Sequence, residues 1–438
     1  MKSVLLTVAC ATALVPATAA AAWESKTASG MDTRIYTPTG VAKIGDGRAL
    51  MIVLHGCTQT ADQLADNGNF ELAAEEYGVV VAVPNVPNGG VVAGCWDYYG
   101  PTHSRGTRHN GPLIGLAEEL RDDAAYDIDP AQIYLVGFSA GGGQALVSGC
   151  LAPEIFAGVG ASAGPSVGTT INEITNATTT AQQAATVCEA LAGSNAGELD
   201  TQLAVTFTDT LDGTVDQDYA QINADMFALL YAGGPESMET KPIDVASLEG
   251  AMPAGTGSVY ADEMVDRVAR IHSSGVGHNW PAGSGDAAPP LAFVSGNGVN
   301  LSWYVAEFFT ANSLRADGDW MPGDDDGGSS SDDGSGDDGS GESGSANDDG
   351  PQSDDDGQGS GAGEAGESGD DDGGAGPGGT TPGAGDDGYI EPSGCQCKAS
   401  PAGSAAWTLL WLVLHGISRR RPRTSRCGRP RRIVLSSP

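Results

Sequence analysis

The chain has 438 residues, 65 of them glycine, and a formal net charge of −36 at pH 7. So acidic a chain does not bind nucleic acid or an anionic membrane by charge. Its length alone suggests two or three domains, but acids and glycines are unevenly spread and one part is too poor in apolar residues to fold.

Met1-Lys2-Ser3 is a short basic start, residues 4–15 are apolar, and Ala17-Thr18-Ala19-Ala20-Ala21-Ala22 offers small-residue cleavage sites. This pattern predicts a secretory signal peptide over residues 1–22. Residues 23–321 read as the globular part. Strands are expected at 33–36, 50–54, 79–83, 133–136, 203–207 and 268–271. Helices are expected at 70–77, 110–125, 144–150, 217–231 and 301–309. The helix at 110–125 rests on Leu113, Leu116, Leu120 and Ala124 at helical spacing. Asp129-Pro130 reads as a turn into the following strand. Alternating strands and helices predict an α/β fold, with a mostly parallel sheet covered on both faces. Residues 84–109 and 235–257 carry no strong strand or helix signal. Long loops in a compact domain are often functional. The first holds Cys95-Trp96-Asp97-Tyr98-Tyr99 and is expected to line a cleft. Its aromatics could meet a polymer or form a lid packed on the core.

Beyond the globular part, residues 322–393 are Asp, Gly and Ser with few apolar residues. Between Asp324 and Glu391 there are 21 acids and no Lys or Arg. Such a segment cannot offset its ordering entropy, and its like charges extend it. It is expected to be a disordered spacer. Residues 394–438 begin with Gly394-Cys395-Gln396-Cys397, continue through an uncharged stretch at 399–418 (His415 apart), and reach Arg419-Arg420-Arg421. That stretch is about as long as a membrane span, although Pro401 and Gly403 weaken its first half. Without spacer and tail, 36 acids face 12 bases up to residue 323. The folded part is therefore near −24 by itself, which suits a saline habitat or ordinary acidic drift equally.

The chemistry centres on Gly137-Phe138-Ser139-Ala140-Gly141. An apolar strand before and a helix after are the setting of a nucleophile elbow. A serine needs a base, and the base needs an orienting group. In the α/β-hydrolase fold the order is Ser, acid, His. Asp209 and Asp212 follow the strand at 203–207; His272 and His278 follow the strand start at 268. His55-Gly56-Cys57 lies where this fold places its second oxyanion donor. His55 is expected to support that loop, and His103 and His109 to be solvent-exposed. Four cysteines in the domain allow three pairings. Export permits disulfides. The expected pairs are Cys57–Cys95, tying the oxyanion strand end to the aromatic loop, and Cys150–Cys188, tying the nucleophile helix to the next helical segment. One pair could instead be buried thiols. No Cys and His cluster has zinc-site spacing, so no metal is proposed.

Five blocks resemble those of extracellular polyhydroxybutyrate depolymerases and the related feruloyl and acetyl-xylan esterases. They are His55-Gly56-Cys57-Thr58-Gln59-Thr60, Cys95-Trp96, Gly137-Phe138-Ser139-Ala140-Gly141-Gly142, Asp212-Gly213-Thr214-Val215 and Gly277-His278-Asn279-Trp280-Pro281. The resemblance covers about residues 30–312. It implies an α/β-hydrolase that cleaves poly(3-hydroxybutyrate) or its oligomers through an acyl-enzyme, without a cofactor. Ser139 would be nucleophile, His278 base and Asp212 its orienting acid, with the Cys57 and Ala140 N–H groups as oxyanion donors. The Asp-x-Thr-Val pattern favours Asp212 over Asp209, and the Gly-x-Gly-His-x-Trp-Pro setting favours His278 over His272. Trp96 and Trp280 are the candidate substrate contacts. A feruloyl or acetyl-xylan esterase is the second reading. An inactive surface adhesin on a stalk is a third, against which the intact blocks argue. The tail resembles the C-terminal sorting tags of myxobacterial surface proteins, with Cys395 as the anchoring or processing site. This implies a secreted or surface-attached protein whose C-terminal segment associates with the membrane transiently or stably.

Overall fold

The computed structural model describes residues 21–263 and 265–316. Residues 1–20 of the expected signal peptide, and the whole of the expected spacer and sorting tail, lie outside the described residues; Ala22, the last residue of the expected signal peptide, begins β1. In chain order the strands are β1 (Ala22–Ala28), β2 (Met31–Thr37), β3 (Arg48–Leu54), β4 (Val79–Pro84), β5 (Ile128–Phe138), β6 (Gly158–Ser162), β7 (Leu203–Asp209), β8 (Glu239–Ile243), β9 (Gly250–Ala251), β10 (Gly255–Ala261), β11 (Asp266–Ser273), β12 (Trp280–Pro281), β13 (Val294–Ser295) and β14 (Gly298–Val299). The helices are α1 (Ala61–Asn67), α2 (Glu71–Tyr77), α3 (Asn110–Asp122), α4 (Ala140–Leu151), α5 (Ala181–Ala192), α6 (Asp218–Ala232) and α7 (Leu301–Asn312).

Ten strands form one sheet in the order β1-β2-β4-β3-β5-β6-β7-β11-β10-β8. The run from β4 to β11 is parallel, and antiparallel strands close both edges. Alternation within the strands explains why both faces are covered. Leu50, Ile52 and Leu54 of β3 join one core with residues of α3, α4, α5 and α6. Met51 and Val53 point the other way, into a core with α1, α2 and α7. Strands buried on both faces read as continuous apolar runs, which is how β4 and most of β3 appear in the sequence.

Three sequence expectations change. Residues 235–257 are not a featureless excursion. They supply β8 and the start of β10, which extend the sheet beyond β11, and β9, which pairs with β14 in a separate two-stranded ribbon. The burial pattern of β8 shows no buried position, and Pro242 interrupts its donors, so it lacks the alternation that marks a strand. Asp129-Pro130 lies inside β5 rather than in a turn, at a register irregularity against β3. The helix at 110 ends at Asp122, before Ala124.

Both cysteine pairs are joined, Cys57 to Cys95 and Cys150 to Cys188. The second links the end of α4 to α5 across 38 residues of sequence. Closing a loop of that length restricts the unfolded chain by about 3–4 kcal/mol. Replacing Cys150 and Cys188 together by alanine is expected to lower unfolding free energy by about that amount in a urea titration, with a steeper slope because the freed unfolded chain exposes more surface.

Candidate active site

Ser139 stands between β5 and α4 with φ 56° and ψ −120°, a region a residue with a side chain rarely occupies. The strain is held from several sides. The Ser139 N–H donates to the Ser162 carbonyl at 2.8 Å, and Phe138 pairs with Ser162 in the β5–β6 ladder. The two flanking glycines are required by close approach. A Cβ on Gly137 would lie 2.2 Å from the Gly141 carbonyl, and one on Gly141 would lie 2.4 Å from the Leu54 oxygen.

The structure brings Ser139, His278 and Asp212 together. His278 Nε2 lies 3.1 Å from Ser139 Oγ, and its Nδ1 lies 2.8 Å from Asp212 Oδ2. The other Asp212 oxygen accepts the N–H groups of Thr214 and Val215 at 2.8 and 3.0 Å, which fixes the carboxylate's angle. Phe138 packs against the imidazole, ring centroids 4.8 Å apart. A serine, an imidazole and a carboxylate so arranged can pass a proton from the hydroxyl to the imidazole. His272 does not take part: its Nε2 meets Gln217 Oε1 at 3.2 Å.

The loop after β3 abuts the nucleophile. A Cβ on Gly56 would come 2.9 Å from the Phe138 ring and 3.4 Å from Ser139 Cβ. Among the described residues, neither the Cys57 nor the Ala140 N–H meets an acceptor. The first residue of α4 also sits at the positive end of the helix dipole. The Gly56–Cys57 peptide is held through its carbonyl. His55 Nδ1 donates to the Gly56 oxygen at 2.7 Å, while Nε2 accepts the Val86 N–H at 3.2 Å. Gln59 adds a second hold: its Oε1 accepts the Gly56 N–H at 2.8 Å, and its Nε2 donates to the Ala292 carbonyl at 2.5 Å. The Cys57–Cys95 bond ties this loop to the aromatic segment.

The two candidate substrate contacts are corrected. Trp96 is 0% exposed and donates its indole N–H to the His55 carbonyl at 3.0 Å. Trp280 is 1% exposed, donates to the Gly68 carbonyl at 3.2 Å and packs on Phe70. Both are too buried to touch substrate; they support the loops that carry Cys57 and His278. The aromatic segment is thus a packed lid. His109 is buried and accepts the Asp97 N–H at 3.0 Å, and half-buried His103 bonds the Tyr98 and Gly100 carbonyls, so neither is a solvent histidine. Leu211, the residue before Asp212, is a large apolar side chain left 68% accessible. Gln59 and Phe138 were not singled out from sequence as site residues. Gln59 sits within the His-Gly-Cys-Thr-Gln-Thr block, the one signal that could have found it.

Burial pushes the His55 imidazole down to about 4. The folded state therefore resists a proton that the unfolded chain takes up near 6.5. Stability from this group is complete above 6.5 and is lost as pH falls from 6.5 towards 4, on the order of 3 kcal/mol. Thermal melts across that window should show a steeper loss for the wild type than for His55→Gln; parallel slopes would refute the assignment.

Comparisons with known proteins agree with this geometry. Residues 31–228 match the family model described as Esterase PHB depolymerase. The chain is 34% identical over 291 residues to the poly(3-hydroxybutyrate) depolymerase of Ralstonia pickettii, covering 64% of this chain and 58% of that protein. It is 29% identical over 118 residues to feruloyl esterase B of Neurospora crassa, covering 26% and 38%. It is 27% identical over 132 residues to acetylxylan esterase A of Aspergillus ficuum, covering 30% and 41%. In each case the chain spans less than two thirds of the relative's length. The matched residues 31–228 carry most of the parallel sheet and the Gly-x-Ser-x-Gly turn, the arrangement of an α/β-hydrolase fold.

Proposed function

We propose that this chain is an exported serine ester hydrolase that cleaves poly(3-hydroxybutyrate) or its oligomers. The observation that carries the reading is the hydrogen-bonded line from Ser139 Oγ through His278 to Asp212 at 3.1 and 2.8 Å. Ser139 attacks the ester carbonyl while His278 Nε2 takes its proton, and Asp212 steadies the imidazolium. The Cys57 and Ala140 N–H groups receive the oxyanion, each worth about 3 kcal/mol in the transition state. His278 returns the proton to the departing alcohol. Water then attacks the acyl-enzyme, loses a proton to His278 and frees the acid, and Ser139 regains its hydroxyl. No step calls for a cofactor.

The depolymerase relative, with the higher identity and coverage, supports a hydroxyalkanoate ester as substrate. The two fungal relatives support the second reading, a feruloyl or acetylxylan ester. Two disulfides fit an extracellular setting. In this reading residues 1–22 direct export and residues 23–321 catalyse. The acidic segment 322–393 acts as a stalk, and residues 394–438 hold the protein at the cell surface.

Hydrolysis of hydroxybutyrate oligomers should exceed that of methyl ferulate and acetylated xylan in kcat/KM. The opposite order would install the second reading. A fluorophosphonate probe should label Ser139; an unlabelled chain would fit the adhesin instead. Ser139→Ala and His278→Ala should each lower kcat by roughly 10⁴–10⁶-fold while the melting temperature holds. His272→Ala should leave kcat nearly unchanged; a severe loss there would move the base to His272.

A further inference from the structure

We infer that Asp209 is the positioning residue that fixes Asp212 against His278, by binding the backbone of both loops at once. The inference rests on the triad reading above. Asp212 and His278 leave the sheet from different strands, β7 and β11, which pair in parallel with Asp209 opposite Ser273. The segment that reaches from Ser273 to His278 contains Gly275 at φ 102° and Gly277 at φ 68°, so its own backbone sets few limits on where the imidazole lies.

Asp209 supplies those limits. Its side chain is almost wholly buried, at 1% exposure. Oδ1 accepts the Leu211 N–H and the Gly277 N–H, both at 2.9 Å, and Oδ2 accepts the Val276 N–H at 2.9 Å. Its own carbonyl accepts the Asp212 N–H at 2.9 Å. One residue therefore holds the amide of the acid itself and the amide immediately before the base. A further bond, Thr210 N–H to the Ser273 carbonyl at 2.9 Å, closes the same junction. Among the described residues no Lys or Arg pairs with this carboxylate. Its charge is met by three N–H dipoles, a strong and directional arrangement. Both Asp209 oxygens are taken up by these amides, so its effect on the triad passes through the loops.

Asp209→Asn keeps shape and volume but faces one of the three N–H groups with an amide NH₂, donor against donor. The loops should part slightly without loss of the fold. The test uses the full chain, with active sites titrated by a fluorophosphonate and kinetics on a soluble p-nitrophenyl ester. We expect kcat per titrated site to fall by about 10–100-fold with KM little changed, the mark of misplaced reacting groups. A merely structural role would lower the number of titratable sites and leave kcat per site at the wild-type value, and that result overturns the inference. Should the variant fail to fold, amide exchange in the wild type decides. Val276 and Gly277 should be protected like the amides of β11, and exchange at the rate of open loop amides overturns the clamp. A wild type that the probe leaves unlabelled removes the triad reading and this inference together. A labelled wild type with an unaffected Asp209→Asn variant removes this inference alone.

Discussion

The parallel register at the carboxyl ends of β3, β5, β6, β7 and β11 is the constraint on which the rest of the site depends. Leu54 pairs with Gly137, Phe138 with Ser162, Ser162 with Phe207, and Ser273 with Asp209. Every strand thus ends within a residue or two of the same line. The loops that follow, with His55 to Cys57, Ser139, Asp212 and His278, leave the sheet along one edge. A slip of one residue in any strand would turn its side chains to the other face and bury the wrong set. The two interleaved cores make that costly, because β3 alone divides six buried side chains between them. Stability of the layers and placement of the site are therefore one requirement.

Close packing then decides the details at that edge. The nucleophile turn is held in a strained conformation because its neighbours leave no room for another. Gly137, Gly141 and Gly56 bring three backbones to distances that a methyl group would forbid. Around this core of backbone, buried side chains act mainly as hydrogen-bond clamps on loops. His55 and Gln59 hold the peptide before Cys57, Trp96 holds the end of β3, and Trp280 fastens the segment after His278 to Gly68. Polar groups buried this deeply must be satisfied, so each bond that orients the site also removes a desolvation penalty.

What could be read from the sequence follows from which signals are local. The strands at 50–54, 79–83 and 203–207 are continuous apolar runs, and strands of that kind are buried on both faces wherever they sit. The Gly-x-Ser-x-Gly turn carries its own chemistry and its own steric requirement. The pairings Cys57–Cys95 and Cys150–Cys188 form one of three possible arrangements, and it is the structure that joins them. Other features depend on partners far away in sequence. An aromatic side chain in a long loop does not reveal whether it faces water; Trp96 is buried because His55, 41 residues earlier, offers a carbonyl to its indole. Strand β8 is defined by its neighbour β10 and not by any alternation of its own. Asp209 and Asp212 stand three residues apart at the same strand end. The Asp-x-Thr-Val pattern favours Asp212 as the acid, and the fold separates their tasks by turning one carboxylate to the imidazole and the other to amides 67 and 68 residues downstream.

That distinction also bears on the acidity of the chain. Of the few bases in the described domain, most are engaged at or near the surface, as in Lys26–Asp123, Arg34–Asp62, Arg105–Glu154 and Lys241–Asp266. A site that relied on Lys or Arg to compensate two buried carboxylates would compete for a scarce resource. Here the compensation comes from the backbone. Asp209 is met by three amides, and Asp212 by two amides and the imidazole. Amide dipoles fixed in the fold are not screened by salt as exposed ion pairs are. The surface can then carry a large negative charge, with whatever solubility or salt tolerance follows from it, while the geometry between Ser139, His278 and Asp212 stays independent of that charge.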